Sequence, residues 1–227
     1  MLSYTYLLIN FFTVVICFIF SFHPKIRFDR YFLPFFKASI LVAIPFILWD
    51  AYFTKTGVWW FNDAYLLGLR LLDLPIEEWL FFICIPFSCM YTYFCLDHFF
   101  NLRWRPQVTH YFALAAITGC LLIGLLHTDK IYTLITFITT ASTLIFLKFV
   151  AKVDWIDKIS FVYGILLLPF FIVNGLLTGT GLEQPIVNYN PDDFMNIRVL
   201  TVPIEDAVYG FELILWNLYF FNIFSKK

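Results

Sequence analysis

Two short acidic motifs carry the side chains best suited to chemistry: Pro75-Ile76-Glu77-Glu78 and Pro203-Ile204-Glu205-Asp206. Each reads as the start of a helix, with Pro at the first helical position and the acids at the third and fourth. Acids there complement the helix dipole, so capping alone explains a single copy. Two copies at matching positions, each five residues after an arginine (Arg70 and Arg198), put four carboxyl groups at one rim of the protein beside Asp50 and Asn174. Apolar burial favours the protonated acid, while the helix N-terminus and Arg70 or Arg198 beside the carboxyls favour the anion, so one such cluster can hold a general acid and a general base. A neutral carboxylic acid in an apolar site suits protonation of an alkene, and a neighbouring carboxylate can take a proton back.

The surrounding residues fit the cation that such a reaction makes. Aromatic residues form 22% of the chain, and Trp59, Trp60, Trp79, Phe81, Phe82, Tyr209 and Trp216 lie around the motifs. A desolvated ring face stabilises a cation by about 0.5 to 2 kcal/mol, although Trp and Tyr at span ends also serve as interfacial anchors. Glu212 follows Glu205 by two helical turns, on the same face and ~10 Å deeper. A proton-handling role and a hydrogen bond to Asn217 or a neighbouring helix are both open to it.

The motifs belong to an internal repeat. Pro45, Phe46, Thr54, Thr56 and Gly57 recur at an offset of 124 as Pro169, Phe170, Thr178, Thr180 and Gly181, with Asp50 facing Asn174. After a four-residue insertion, Asn62, Arg70, Leu72 and Pro75 recur as Asn190, Arg198, Leu200 and Pro203. Ordered matches of Arg, Pro, Glu and Thr-x-Thr-Gly point to duplication.

The elements that position these residues are membrane helices. The chain is 61% hydrophobic and 14% charged, against about 45–50% and 25% in soluble domains. Seven apolar runs approach the ~20 residues that span a bilayer: Leu2 to Phe22, Tyr31 to Phe53, Ile76 to Leu96, Thr109 to Leu126, Ile131 to Phe149, Ile159 to Leu177 and Ile204 to Phe224. The first run is too long for a secretory signal and has no basic region before it or cleavage site after it. The expected fold is an all-α integral membrane domain over 1–227. Residues 1–100 and 130–227 form two parallel three-helix repeats, and the fourth helix, within the linker 101–129, restores their common orientation about an axis along the membrane normal.

Of the fifteen basic residues, Lys55, Arg70, Lys130 and Arg198 fall on one side and the other eleven, including Arg103 and Lys227, on the opposite one. The positive-inside bias predicts a multi-pass cell-membrane protein with its N-terminus outside and its C-terminus cytoplasmic. The net charge of -1 says nothing about partners, but the chain has no basic tract suited to nucleic acid. Cys17, Cys84, Cys89, Cys95 and Cys120 all fall within spans and form no C-x-x-C pair, and the four histidines make no ligand set, so no metal is expected. No G-x-G-x-x-G unit for a nucleotide cofactor is present.

With seven spans in a three-one-three order and twin P-x-E-[ED] motifs, the whole chain resembles the cofactor-independent lycopene cyclases. In that family two three-helix subunits occur separately or fused, the fused form also being the cyclase half of fungal bifunctional enzymes. The resemblance implies a lycopene β-cyclase, an intramolecular lyase or isomerase of carotenoid biosynthesis that needs no cofactor. It would convert linear ψ-ends to β-rings through γ-carotene to β-carotene. An acid protonates the terminal double bond at C2, the chain closes on the C1 cation, and a base removes the proton at C6. The motif carboxyls map to Glu77, Glu78, Glu205 and Asp206, with roles undivided; Asp50, Asn174, Arg70, Arg198, Trp79, Tyr209 and Glu212 are supporting or substrate-binding candidates. The implied partners are a carotenoid in the lipid phase, membrane lipids and other enzymes of the carotenoid pathway.

Other functions make different demands. Related end-group enzymes cyclise longer carotenoids or hydrate carotenoid ends. A seven-helix solute transporter with parallel three-helix repeats would use Pro45 and Pro169 as hinges, but needs a polar path through the bundle, whereas the polar residues here gather at one end. A retinal protein needs a Schiff-base lysine, which the seventh span lacks. A prenyltransferase needs aspartate-rich diphosphate motifs, and Asp192-Asp193 is a poor match.

Overall fold

A computed structural model describes residues 2–100, 102 and 105–226. Among these, seven helices are long and apolar enough to cross a membrane: α1 (Thr5–Ser21), α2 (Phe32–Thr56), α3 (Ile76–Phe99), α4 (Pro106–Leu126), α5 (Ile131–Ile145), α6 (Ile156–Leu177) and α7 (Ile204–Ser225). A short 3-10 turn, Leu2–Tyr4, precedes α1, and a π-helical stretch, Phe146–Val150, continues α5. Of the basic residues that set the expected orientation, Arg103 and Lys227 lie outside the described residues.

Helix ends follow local chemistry. α2 stops at Gly57, whose φ of 79° is the left-handed C-cap conformation; its amide closes onto the carbonyls of Phe53 and Thr54. The starts of α3 and α7 correct the sequence expectation by one residue. Pro75 and Pro203 sit just before the helix in extended conformation, with ψ of 148° and 141°. Glu77 and Glu205 therefore occupy the second helical position, and Glu78 and Asp206 the third.

The cause is a small hairpin before each helix. Strands β2 (Arg70–Leu71) and β3 (Leu74–Pro75) pair antiparallel with Arg70 opposite Pro75. Likewise β5 (Arg198–Val199) pairs with β6 (Val202–Pro203), Arg198 opposite Pro203. The five-residue Arg-to-Pro spacing is thus a hairpin register. Leu72 and Leu200 hold positive φ, 54° and 56°, which is unusual for leucine. The arginines pin these turns: Arg70 Nη1 donates to Asp73 O at 2.8 Å and Arg198 Nη1 to Thr201 O at 2.5 Å.

A third ribbon joins the two halves. β1 (Trp59–Phe61) pairs antiparallel with β4 (Val187–Tyr189), and the central pair is Trp60 with Asn188. These two residues are mates at the repeat offset of 128, so the ribbon relates each half to the other symmetrically about its centre. Under it, one buried cluster surrounds Phe53, Trp59, Phe82, Tyr132 and Ile186. A second fills the opposite end around Phe28, Phe87, Ile159 and Leu215. There Lys158 of α6 pairs with Asp97 of α3.

Candidate active site

Neighbouring positions on a helix point about 100° apart, so the two acids of each motif cannot face the same way. Glu77 and Glu205 turn back toward the preceding loops. Glu77 Oε1 accepts from the Leu67 amide at 2.7 Å. Glu205 Oε1 accepts from the Met195 amide at 2.9 Å and from Thr133 Oγ1 at 2.7 Å. Leu67 and Met195 are again 128 residues apart. Both carboxyls are fully buried, and neither lines the cavity described next.

Glu78 and Asp206 face inward, into a cavity of about 270 Å³. Tyr6 of α1 donates to Glu78 Oε2 at 2.5 Å, and Tyr132 of α5 donates to Asp206 Oδ1 at 2.6 Å. Beyond this shared phenol the halves differ. On the first side Asp50 of α2 and Glu78 both line the cavity; Trp59 Nε1 donates to Asp50 Oδ1 at 2.6 Å, and Asp50 Oδ2 is buried without a hydrogen-bond partner. On the second side the repeat mate is Asn174, whose amide approaches Asp206 Oδ2 at 3.4 Å, and Tyr189 donates to the same oxygen at 2.8 Å. Burial, and then the Asp206 carboxylate, push the Tyr189 phenol well above its ordinary value, so it remains a donor at neutral pH.

This gives two unlike groups in one chamber. Asp50 and Glu78 are two buried carboxyls on one side of it, and neighbouring carboxyls away from water favour holding a proton. Asp206 only accepts, which is the hydrogen-bonding pattern of a carboxylate. Trp59, Phe81 and Tyr209 line the chamber, with Trp59 edge-on to Tyr132 at a centroid distance of 5.1 Å.

Several sequence candidates lie elsewhere. Arg70 and Arg198 hold the hairpin turns and make no ion pair with the motif carboxyls. Arg70 pairs with Asp63 at 2.6 Å, while the Arg198 guanidinium lies 5.5 Å from the ring centre of Tyr189 and 4.8 Å from that of Phe194. Trp79 donates to Leu71 O at 3.1 Å, outside the cavity. Trp60 is exposed, and Phe82 and Trp216 pack outside the cavity. Glu212 is buried against three threonines of α5, accepting from Thr139, Thr140 and Thr143 at 2.8, 3.1 and 2.9 Å. Asn217 donates instead to Leu213 O.

Sequence reading overlooked Tyr6, Tyr132 and Tyr189. A signal for the first two exists: at an offset of 126, Tyr6, Leu8, Ile9, Phe11 and Thr13 match Tyr132, Leu134, Ile135, Phe137 and Thr139. The repeat therefore extends through α1 and α5.

Glu77 and Glu205 give a first test. Glu77→Gln and Glu205→Gln keep an acceptor for the loop amides and should retain activity. Glu77→Ala and Glu205→Ala leave those amides unpaired and should cost about 1–3 kcal/mol of stability each, read as a lowered melting temperature in detergent. Loss of turnover in both glutamine variants at unchanged stability would overturn this division.

The family described as lycopene cyclase matches residues 3–96 and 129–224. A bifunctional lycopene cyclase/phytoene synthase of Pyrenophora tritici-repentis is 34% identical over 65 residues, covering 27% of this chain and 11% of that protein. A lycopene beta-cyclase of Halobacterium salinarum is 51% identical over 35 residues, 15% of this chain and 14% of that one. The aligned stretches thus span only about a tenth to a seventh of those relatives' lengths. No solved structure matches the chain.

Proposed function

The chain belongs to the lycopene cyclase family, and from that premise we propose that it closes the linear ψ-ends of lycopene into β-rings, giving γ-carotene and then β-carotene. The observation that carries the reading is the gathering of differently held carboxyl groups in one apolar chamber: Asp50 and Glu78 on one side, and Asp206 held by Tyr132, Tyr189 and Asn174 on the other.

The Asp50–Glu78 pair supplies the proton. It is delivered to C2 of the terminal double bond, leaving a cation at C1. The C5–C6 double bond attacks, forming the C1–C6 bond and moving the charge to C5. Asp206 then removes the proton from C6, and the electron pair closes the ring double bond. One proton enters and one leaves, so nothing is consumed, and proton return from Asp206 to the pair resets the site. Trp59, Phe81 and Tyr209 present rings to the passing cation. The phenol of Tyr189 and the amide of Asn174 fix the Asp206 carboxylate.

The cavity wall favours this over solute transport. Thr13 Oγ1 donates to Ile9 O, Ser88 Oγ to Thr13 O, and Thr92 Oγ1 to Ser88 O, each at 2.8 Å. These hydroxyls are occupied by backbone carbonyls, which leaves an apolar wall below one polar end. In this reading that end faces the outer leaflet and the C-terminus is cytoplasmic, which the positive-inside bias supports.

Expression in a lycopene-accumulating bacterial host tests the reading. The expected pigment is β-carotene, with γ-carotene as intermediate. Lycopene left unchanged while the protein is present in the membrane would sink it. Hydroxylated ends would point to a hydratase, and rings formed only on longer carotenoids to a cyclase of that class.

A further inference from the structure

The cavity is longer than a ring-forming site requires. From the carboxyls it follows α3 from Glu78 to Thr92 and α6 from Leu177 back to Tyr163. Fourteen residues of helix on each wall correspond to ~21 Å. Lys158 and Asp97 join the same two helices beyond its deep end.

Duplication provides two equivalent seams, one between α2 and α7 and one between α6 and α3, and they are packed differently. In the first, Phe46 and Trp49 of α2 meet Tyr209 of α7, with ring centroids 5.2 and 5.0 Å apart, and the seam is closed. Their repeat mates are Phe170, Val173 and Phe81, and all three line the cavity. The indole that fills the first seam has only a valine as its counterpart in the second.

We infer that the slot between α3 and α6 binds the polyene stem of the substrate, and that Val173 holds it open where Trp49 closes the equivalent seam. This inference rests on the cyclase reading and adds to it a binding site remote from the reacting bonds. Its chemistry suits a thin, extended hydrocarbon: the wall hydroxyls are bonded to carbonyls, and Ile85, Leu166 and Phe170 provide apolar surface. All the cavity carboxyls sit at one end, so one substrate end is processed at a time.

The test fills the slot at two depths, beside Asn174 at Val173 and further from the carboxyls at Ile85. Ile85 lies two turns below Glu78, ~10 Å along the helix. Ile85→Trp, and Val173→Trp as a copy of the closed seam, are expected to lower β-carotene formation from lycopene by about tenfold or more. Leu48→Trp, on the exposed face of α2, should leave it unchanged. Membrane amount and melting temperature are measured for each variant, with Ile85→Phe as the milder filling if Ile85→Trp fails to accumulate. A second readout avoids turnover: protein carrying Glu78→Gln should copurify with lycopene, and adding Ile85→Trp or Ile85→Phe should remove that pigment. Wild-type cyclisation and pigment retention in the filled variants would overturn the slot while leaving the cyclase reading intact. Absence of cyclisation by the unsubstituted protein would instead defeat the reading on which it rests.

Discussion

Replacing Asp206 with asparagine is expected to reduce β-ring formation by about 10³-fold or more, with the protein still present in the membrane. The substitution preserves size and leaves one acceptor oxygen for Tyr132, but an amide cannot take up the C6 proton. Its NH2 group would also face the donors of Tyr189 and Asn174, which now converge on Oδ2. Product per unit of membrane-embedded protein, measured on extracted pigments, separates lost chemistry from lost protein. Ring formation within a few fold of wild type would remove Asp206 from the reaction and reduce it to a helix-start acid.

The second large effect belongs to Glu78. Glu78→Gln keeps an acceptor for Tyr6, which donates at 2.5 Å, while removing the proton shared with Asp50. A loss of about 10²–10⁴-fold is expected. Asp50→Asn should act in the same direction, because it gives the first half the Asn174 pattern of the second and leaves both sides without a carboxyl pair. If Glu78→Gln is inactive but Asp50→Asn is fully active, Glu78 holds the proton alone and the pair is dismissed. If Glu78→Gln is active, the donor lies elsewhere in the chamber.

Only one acid of each motif, Glu78 or Asp206, lines the chamber, and the sequence does not distinguish it from its neighbour. The motifs, their duplication and the Asp50/Asn174 correspondence were all legible, because identical residues at constant offsets do not depend on folding. Arg70 and Arg198 were visible as part of the same pattern but given the wrong neighbours. Their five-residue distance from Pro75 and Pro203 is a hairpin register, and two-residue strands are too short to leave a recognisable alternation. The phenols of Tyr6 and Tyr132 were also within reach, since the α1/α5 match carries them. Tyr189 was not: its mate at offset 128 is Phe61, and only the β1–β4 ribbon brings its hydroxyl to Asp206.

The sequence by itself determined seven apolar helices and a doubled acidic motif, because hydropathy, helix starts and repeated residues are properties of short stretches of chain. Tertiary structure decided which acids face the chamber. α3 and α7 are apolar over most of their circumference, so no polar stripe fixes how each is rotated. Packing against α1 and α5 sets that rotation, through Tyr6 on Glu78 and Tyr132 on Asp206. It turns Glu77 and Glu205 toward loop amides and leaves Glu78 and Asp206, one residue further on, facing the cavity.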